Sequence, residues 1–242
     1  MTVWKHWKNI QNDLEVNTMD TNKKTHILNM LSECAQALSK NNMEAFVAKD
    51  KEEAKEIFKN LLSDCDTVTM GGSMTIGECG LLDILRSGDY TFYDRNVPGL
   101  SPDEIGDIYR KAFSCDAYIS SSNAITQNGE LYNVDGNSNR VAAMLFGSKK
   151  LIVVAGYNKV VKDIDQAIIR VKSHAEPANC VRLGIGSYCA EKGSCVSLSA
   201  SNPNMCSGCN SDSRICANFT VMAHQRNKDR VKVILVAEEL GY

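Results

Sequence analysis

Hydrophobic residues recur at helical spacing through the first quarter of the chain. Residues 43–62 place six apolar side chains on one stripe of a helix. These are Phe46, Ala54, Ile57, Phe58, Leu61 and Leu62. The segment before it, KKTHILNMLSECAQALSK, has the same character. We therefore predict that the first 62 residues are helical and contain two packed helices, within an N-terminal helical extension that spans residues 1–64.

From Thr67 onward the pattern changes to strands and helices in alternation. Segments that predict strands are DTVTM, YTFYDR, AYIS, KLIVVAG and VKVILVAEEL. Segments that predict helices are LLDILRSG, SPDEIGDIYRKAF, a stretch from about Arg140, and residues 163–175. The second helix opens with a capping box, Ser101 and Glu104, around Pro102. KLIVVAG is uniformly apolar, as expected when helices cover both faces of a strand. The alternation predicts one α/β domain over residues 65–242 with a mostly parallel sheet.

Composition excludes several classes of protein. The chain is 43% hydrophobic and 23% charged, close to ordinary globular usage. A net charge of −2 gives no electrostatic footprint for nucleic acid or for an anionic membrane. No apolar run reaches the roughly 18 residues of a membrane span, and the first residues lack a secretory signal. We expect a cytoplasmic protein with no membrane span and no nucleic-acid partner.

The ten cysteines fall into two groups. Cys34, Cys65, Cys79, Cys115 and Cys180 are scattered in mostly apolar settings, where cysteine behaves as a small hydrophobe. The other five crowd into residues 189–216, a Gly-, Ser- and Asn-rich segment. A Cys-x2-Cys pair with flanking cysteines in such a segment indicates a metal site, for zinc or an iron–sulfur cluster. The alternative is a loop carrying reduced or mutually oxidised thiols.

A polar stretch, SSNAITQNGELYNVDGNSNR, lies between two apolar segments. Asn128–Gly129 predicts a hairpin with a two-residue type I′ turn. Such a hairpin brings Asn123 near Asn133 and Asp135, and a helix that begins near Arg140 follows it. A convergent polar cluster of this kind is typical of a small-molecule pocket, although Asn and Asp also serve as turn and cap residues.

A glycine-rich loop, GGSMTIG, follows the strand at residues 67–70. Ligands of open parallel sheets bind at the carboxyl ends of strands, and such loops can hold anions. It is neither a Walker loop nor a dinucleotide fingerprint, and a tight structural turn is the alternative. Lys159, after a buried strand, either reaches an anionic ligand or is a solvated lysine at a helix start. Glu130 and Asp135 are the candidate catalytic carboxylates, as general bases.

These motifs resemble the LUD (lactate utilisation) domain family, which includes the LutC and YkgG proteins. The matching positions are Asn123 to Thr126, Gly129, Asn133 to Gly136, Asn139 and Arg140, and Val154 to Lys159. GGSMTIGECGLLDIL and VILVAEELGY match as well, so the likeness covers residues 70–242. It implies a three-layer α/β/α fold similar to the NagB/RpiA/CoA-transferase group, whose members hold anionic ligands on glycine-rich loops. Homodimers are common in that group.

The expected ligand site combines both motifs. Its residues are Gly71, Gly72, Ser73, Thr75, Asn123, Asn133, Gly136, Asn139, Arg140 and Lys159. Within it, we expect Arg140 to hold a carboxylate or phosphate, because a guanidinium makes paired hydrogen bonds to either group.

Some relatives of the short LUD type carry a similar cysteine cluster that ends as SDSRIC does here. We expect the metal ligands to be Cys189, Cys206, Cys209 and Cys216, with Cys195 as a spare.

The resemblance implies a role in oxidising L-lactate, or a related 2-hydroxy acid, to pyruvate. Better-known members of the family belong to operons for this oxidation, which proceeds through iron–sulfur partner proteins. In this interpretation the protein is part of an electron-transferring assembly and binds a small anionic ligand. An alternative is a stand-alone sugar-phosphate isomerase or acyl-CoA enzyme that uses Glu130 or Asp135 as base and has a structural metal site. A ligand-sensing module without turnover is a third possibility.

Overall fold

The structure is a computed structural model that describes residues 19–200 and 204–242. Its helices are α1 (Thr21–Lys40), α2 (Lys51–Leu62), α3 (Met74–Glu78), α4 (Leu81–Ser87), α5 (Pro102–Lys111), α6 (Asn139–Phe146), α7 (Ile164–Arg170), α8 (Glu176–Arg182) and α9 (Tyr188–Lys192). Its strands are β1 (Glu44–Ala48), β2 (Thr67–Met70), β3 (Thr91–Tyr93), β4 (Ala117–Ser120), β5 (Ala124–Thr126), β6 (Leu131–Asp135), β7 (Lys150–Gly156), β8 (Val160–Val161), β9 (Asn218–Met222) and β10 (Val231–Val236). None of the helices in these two ranges is long and apolar enough to cross a membrane.

Six of the strands form the central sheet, in the order β1-β10-β7-β4-β2-β3, and every neighbouring pair is parallel. The predicted α/β class with a mostly parallel sheet is therefore confirmed. A second sheet in the order β8-β5-β6-β9, which the sequence did not predict as a separate layer, is built around the β5–β6 hairpin.

The core lies on both faces of the central sheet. Along β7, Leu151 and Val153 pack into one cluster with α1, α6 and the second sheet. Ile152 and Val154 pack into the other cluster, with α2 and α4. This alternation follows from the two-residue period of a strand, and it explains why the whole strand had to be apolar.

The helix predicted over residues 43–62 is wrong in its first part. Residues 44–48 form β1, which pairs in parallel with β10 at the edge of the central sheet. The Asp50 carboxylate accepts a hydrogen bond from Glu53 N at 2.9 Å, and Glu53 accepts one from Lys49 N at 2.8 Å. These reciprocal caps start α2 at Lys51 and leave the preceding residues extended. The segment 1–64 thus contributes a strand to the main sheet, and the helical prediction for residues 1–18 lies outside the described residues.

The predicted hairpin of β5 and β6 is present, but its turn is of another type. Thr126 N donates to Glu130 O and Gly129 N to Thr126 O, each at 2.9 Å, so the loop has three residues. Gly129 has a φ of 80°, whereas Asn128 is not among the residues with positive φ. A type I′ turn needs positive φ at both positions, so this loop is a type I turn that ends in a glycine bulge. A Cβ on Gly129 would lie 2.5 Å from the carbonyl carbon of Ala37 in α1, so the position requires glycine.

Candidate functional site

A cleft of about 440 Å³ lies at the carboxyl edge of the central sheet. Residues that follow four parallel strands line it. They are Gly72 and Ser73 after β2, Arg95 after β3, Ser121 and Ser122 after β4, and Lys159 after β7. Parallel strands end at the same edge, so residues distant in sequence meet here. The volume is typical of small-molecule sites.

Arg140 ties the hairpin to this edge. Its Nη1 donates to Asn133 Oδ1 at 2.7 Å, and its Nη2 donates to Asn123 Oδ1 at 2.8 Å and to Val134 O at 2.7 Å. The side chain is only 14% exposed. Burial lowers the pKa of Arg140, opposed by the nearby carboxylate of Asp135. The guanidinium is thus occupied by the protein itself, which argues against the predicted role of Arg140 as the anion clamp.

Asp135 is likewise occupied. One carboxylate oxygen accepts from Asn137 N and Ser138 N at 3.0 and 3.1 Å, and the other from Arg140 N and Val141 N at 3.1 and 3.2 Å. The carboxylate therefore caps α6 and accepts hydrogen bonds from the N–H groups that could otherwise bind an anion. An acceptor with four N–H donors is a poor general base, so we do not assign that role to Asp135.

Glu130 lies away from the cleft, in the hairpin turn. Its carboxylate accepts a hydrogen bond from Thr126 Oγ1 at 2.6 Å, and the neighbouring carbonyl of Gly129 accepts one from Asn41 Nδ2 at 2.9 Å. Glu130 is not among the residues that line the cleft. Its place is set by the turn, and it cannot act on a ligand in the cleft.

The structure brings the ten predicted ligand residues together. The seven that line the cleft are Gly72, Ser73, Asn123, Gly136, Asn139, Arg140 and Lys159. The other three contact these lining residues without lining the cleft themselves. Thr75 accepts a hydrogen bond from Lys159, Asn133 accepts one from Arg140, and Gly71 packs against the stem of Arg140. The convergence of the glycine loop and the hairpin is a property of the fold.

Sequence reasoning missed two cleft residues with unsatisfied polar atoms. Arg95 Nε and Tyr242 Oη are buried and have no hydrogen-bond partner in the described residues. Arg95 Nη1 donates to Tyr109 Oη at 3.1 Å, and its guanidinium lies over the ring of Tyr109, 5.5 Å from the centroid. Its position just after β3 was a readable signal, because the carboxyl end of each parallel strand faces the cleft. Tyr242 had no such signal.

Lys159 is buried, with 3% of its surface exposed, so it is not the solvated lysine of the alternative prediction. It ends a short 3-10 turn, Tyr157–Lys159, that follows β7. Burial, followed by the charges of Arg170 and Arg140, lowers the pKa of Lys159 to about 7. No carboxylate forms an ion pair with it among the described residues.

The cysteine segment lines one side of a second, much smaller cavity of about 20 Å³. Four cysteines line it: Cys189, Cys195, Cys209 and Cys216. Glu176 lines it as well, is 5% exposed, and has an Oε2 atom without a hydrogen-bond partner. Burial raises the pKa of Glu176 to about 7, opposed by the charge of Arg140. Glu176 directly follows the π-helical turn Val171–Ala175, a feature often found at functional sites.

The predicted metal ligands do not fit this cavity as a set. Cys206 is exposed and does not line the cavity, whereas the predicted spare, Cys195, does. Within residues 19–200 and 204–242, no three or more His, Cys, Asp or Glu side chains are close enough to hold one metal ion as they stand. A soft metal would have to draw the four lining sulfurs together, and a cavity of this size holds about one water-sized sphere.

A DUF162 family protein from Deinococcus radiodurans is similar to this chain at 13% sequence identity and a TM-score of 0.44, over 88% of this chain and 98% of that one. No curated protein matches. The family model described as LUD domain matches residues 31–236, which include the cysteine segment and every residue that lines the cleft except Tyr242. Because the match spans most of the sequence, this chain belongs to the LUD domain family.

Proposed function

We propose that the cleft binds a small anionic metabolite and that the protein takes part in oxidising L-lactate, or a related 2-hydroxy acid, to pyruvate within an electron-transferring iron–sulfur assembly. The charge of the cleft supports the binding step. Four cationic side chains line the cleft: Arg95, Arg140, Lys159 and Arg182. Asp135 is the carboxylate among the lining residues. Arg140 and Asp135 balance each other inside the hairpin. Arg95 and Arg182 are left as positive groups that line the cleft, and Lys159 adds to them when it is protonated, which favours an anion.

The role in lactate oxidation is supported by membership of the LUD family and by the chemistry of a 2-hydroxy or 2-oxo acid. Its carboxylate suits the guanidinium of Arg95, which lines the cleft. The positions of Glu130 and Asp135 weaken the alternative of a sugar-phosphate isomerase or acyl-CoA enzyme, because that alternative relied on one of them as the base. Electrons from the acid would leave to iron–sulfur partner proteins.

Binding can be tested by isothermal titration with L-lactate, pyruvate, a sugar phosphate and acetyl-CoA. We expect L-lactate or pyruvate to bind, and the variant Arg95→Met to weaken that binding roughly 10- to 100-fold, since a hydrogen bond to a charged group contributes about 1.5–3 kcal/mol. Arg226→Met, which removes an exposed charge outside the cleft, is the matched control and should bind normally. Selective binding of the sugar phosphate or of acetyl-CoA would favour the alternative function. Equal affinity in wild type and Arg95→Met would contradict the cleft as the site.

For the cysteine segment we propose a single zinc ion, held by Cys189, Cys195, Cys209 and Cys216. Support comes from the four sulfurs around one cavity and from its volume of about 20 Å³, which suits one ion better than an iron–sulfur cluster. Closed four-sulfur zinc sites contribute directly to folding, which fits a segment poor in apolar residues.

The protein purified without oxygen should be colourless and contain about one zinc per chain by elemental analysis. Cys209→Ser should lose the metal and Cys206→Ser should keep it. A brown protein that contains iron and sulfide would show that the site holds an iron–sulfur cluster instead of zinc. Retention of zinc by Cys209→Ser, or metal-free protein, would show that these thiols do not form the site.

A further inference from the structure

Lys159 is held as a hydrogen-bond donor to two hydroxyl groups. Its Nζ lies 2.8 Å from Thr75 Oγ1 and 3.1 Å from Ser121 Oγ. Thr75 Oγ1 gives its own proton to Leu240 O at 3.2 Å, so it serves Lys159 as an acceptor. Two partners and the side-chain carbon fill three of the four tetrahedral positions around the nitrogen. The fourth has no hydrogen-bond partner among the described residues, and Lys159 lines the cleft.

The C-terminal residues close the side of Lys159 that does not face the cleft. Asn158 Nδ2 donates to Gly241 O at 2.9 Å, and Asn158 Oδ1 accepts from Leu240 N at 3.1 Å. A Cβ on Gly241, which has a φ of 57°, would lie 2.7 Å from Thr75 Oγ1 and 3.4 Å from Lys159 Nζ. Only glycine fits this close approach. The C-terminal residues Leu240 and Gly241 therefore exclude water from the amine, and the next residue, Tyr242, lines the cleft.

The charged groups around Lys159 oppose its protonation. Arg140 and Arg170 both lower the pKa of the amine, and Arg170 is fixed by bonds from Nη1 to Asn123 O and from Nε to Asn158 O. Glu78 acts in the other direction but its carboxylate accepts a hydrogen bond from Gly241 N at 2.6 Å. A desolvated lysine beside other cations is the arrangement by which enzymes activate an amine as a nucleophile.

We propose that Lys159 is a catalytic nucleophile that forms an imine with a small 2-oxo acid bound in the cleft. This rests on the proposed function, because the ligand is the small acid assigned to the cleft that Lys159 lines. The nitrogen of Lys159 adds to the carbonyl carbon, and the carbonyl oxygen leaves as water with the two amine hydrogens. No oxidant or reductant is consumed. The imine withdraws electrons from the adjacent carbon atoms, and this is the chemical effect that Lys159 would have on the bound acid.

The direct experiment traps the imine by reduction. Wild-type protein is incubated with pyruvate and sodium cyanoborohydride, and the modified peptide is identified by mass spectrometry. We expect a single adduct at Lys159, its loss in Lys159→Arg, and its retention in Lys162→Arg, which changes an exposed lysine on the same segment. If titration shows that pyruvate binds while no adduct forms at Lys159, the imine proposal is overturned and the binding function stands.

A second measurement does not depend on the ligand. In protein with isotope-labelled lysines, the side-chain resonance of Lys159, assigned by its loss in Lys159→Arg, should titrate near pH 7 by NMR. Ordinary lysines titrate near 10.4. If Lys159 titrates only in that higher range, it is not an activated amine, whatever pyruvate does. If neither pyruvate nor L-lactate binds although Lys159 titrates near pH 7, the proposed function and the imine proposal both fail, while the perturbed amine remains.

Discussion

Replacing Arg140 by methionine should lower the free energy of unfolding by about 3–5 kcal/mol, as expected when one partner of a buried charged network is removed. The guanidinium donates to Asn123, Asn133 and Val134, and all three lose this bond in the variant. The two asparagine oxygens each keep one backbone N–H donor. Asp135 loses its cationic neighbour as well. Denaturant unfolding followed by circular dichroism measures the loss.

Arg140→Lys should recover only a small part of the lost stability, because an ammonium group cannot reach both asparagine oxygens as a planar guanidinium does. Arg182→Met is the matched control. Arg182 is exposed at the edge of the cleft and its guanidinium bonds only to Asn179 Oδ1 among the described residues, so the loss should stay within about 0.5 kcal/mol. A small effect of Arg140→Met, with loss of ligand affinity instead, would restore Arg140 as the anion clamp.

Replacing Lys159 by methionine should change how stability depends on pH. The pKa of Lys159 is lowered from 10.5 to about 7 in the folded protein, mainly by burial. Between these values the unfolded chain binds more protons than the folded one, so the stability of the wild type rises with pH. Below pH 7 both states are protonated, and the full cost of burying the charge is present. The variant lacks this contribution at every pH.

We therefore expect Lys159→Met to be more stable than wild type near pH 7. From about pH 7 to about pH 9, the free energy of unfolding of the wild type should rise relative to that of the variant by roughly 2–3 kcal/mol. Thr75 and Ser121 lose a donor, which offsets the gain by about 1 kcal/mol each at all pH values. Unfolding curves of both proteins over this range give the difference directly. For the control Lys162→Met, the difference in free energy of unfolding from the wild type should stay constant over this pH range. A difference between wild type and Lys159→Met that does not vary with pH would mean that the amine is charged in the folded state.

Much of the fold could be predicted because the strands of a parallel sheet have uniform apolar segments. KLIVVAG became β7, and the loops after β2 and β7 reached the cleft as parallel topology requires. Strand β1 was missed because Phe46 also fits the stripe of the following helix. The Asp50 and Glu53 cap, which was readable, decided the boundary.

The chemistry of the cleft was less predictable than its location. Which residues would gather was visible from the motifs, but hydrogen-bond saturation of Arg140 and Asp135 depends on three-dimensional contacts that spacing does not reveal. Burial of Lys159 likewise depends on the C-terminal tail that covers it. Among the cysteines, Cys195 lines the small cavity and Cys206 does not, which their spacing in the sequence could not reveal.

The crystal structure of the protein with bound pyruvate tests the central claim most directly. We expect the ligand in the cleft at the carboxyl edge of the sheet, with its carbonyl carbon at Lys159 Nζ, while Arg140 keeps its bonds to the two asparagines. Pyruvate bound outside this cleft, with Arg95 and Lys159 turned away from it, would contradict the account.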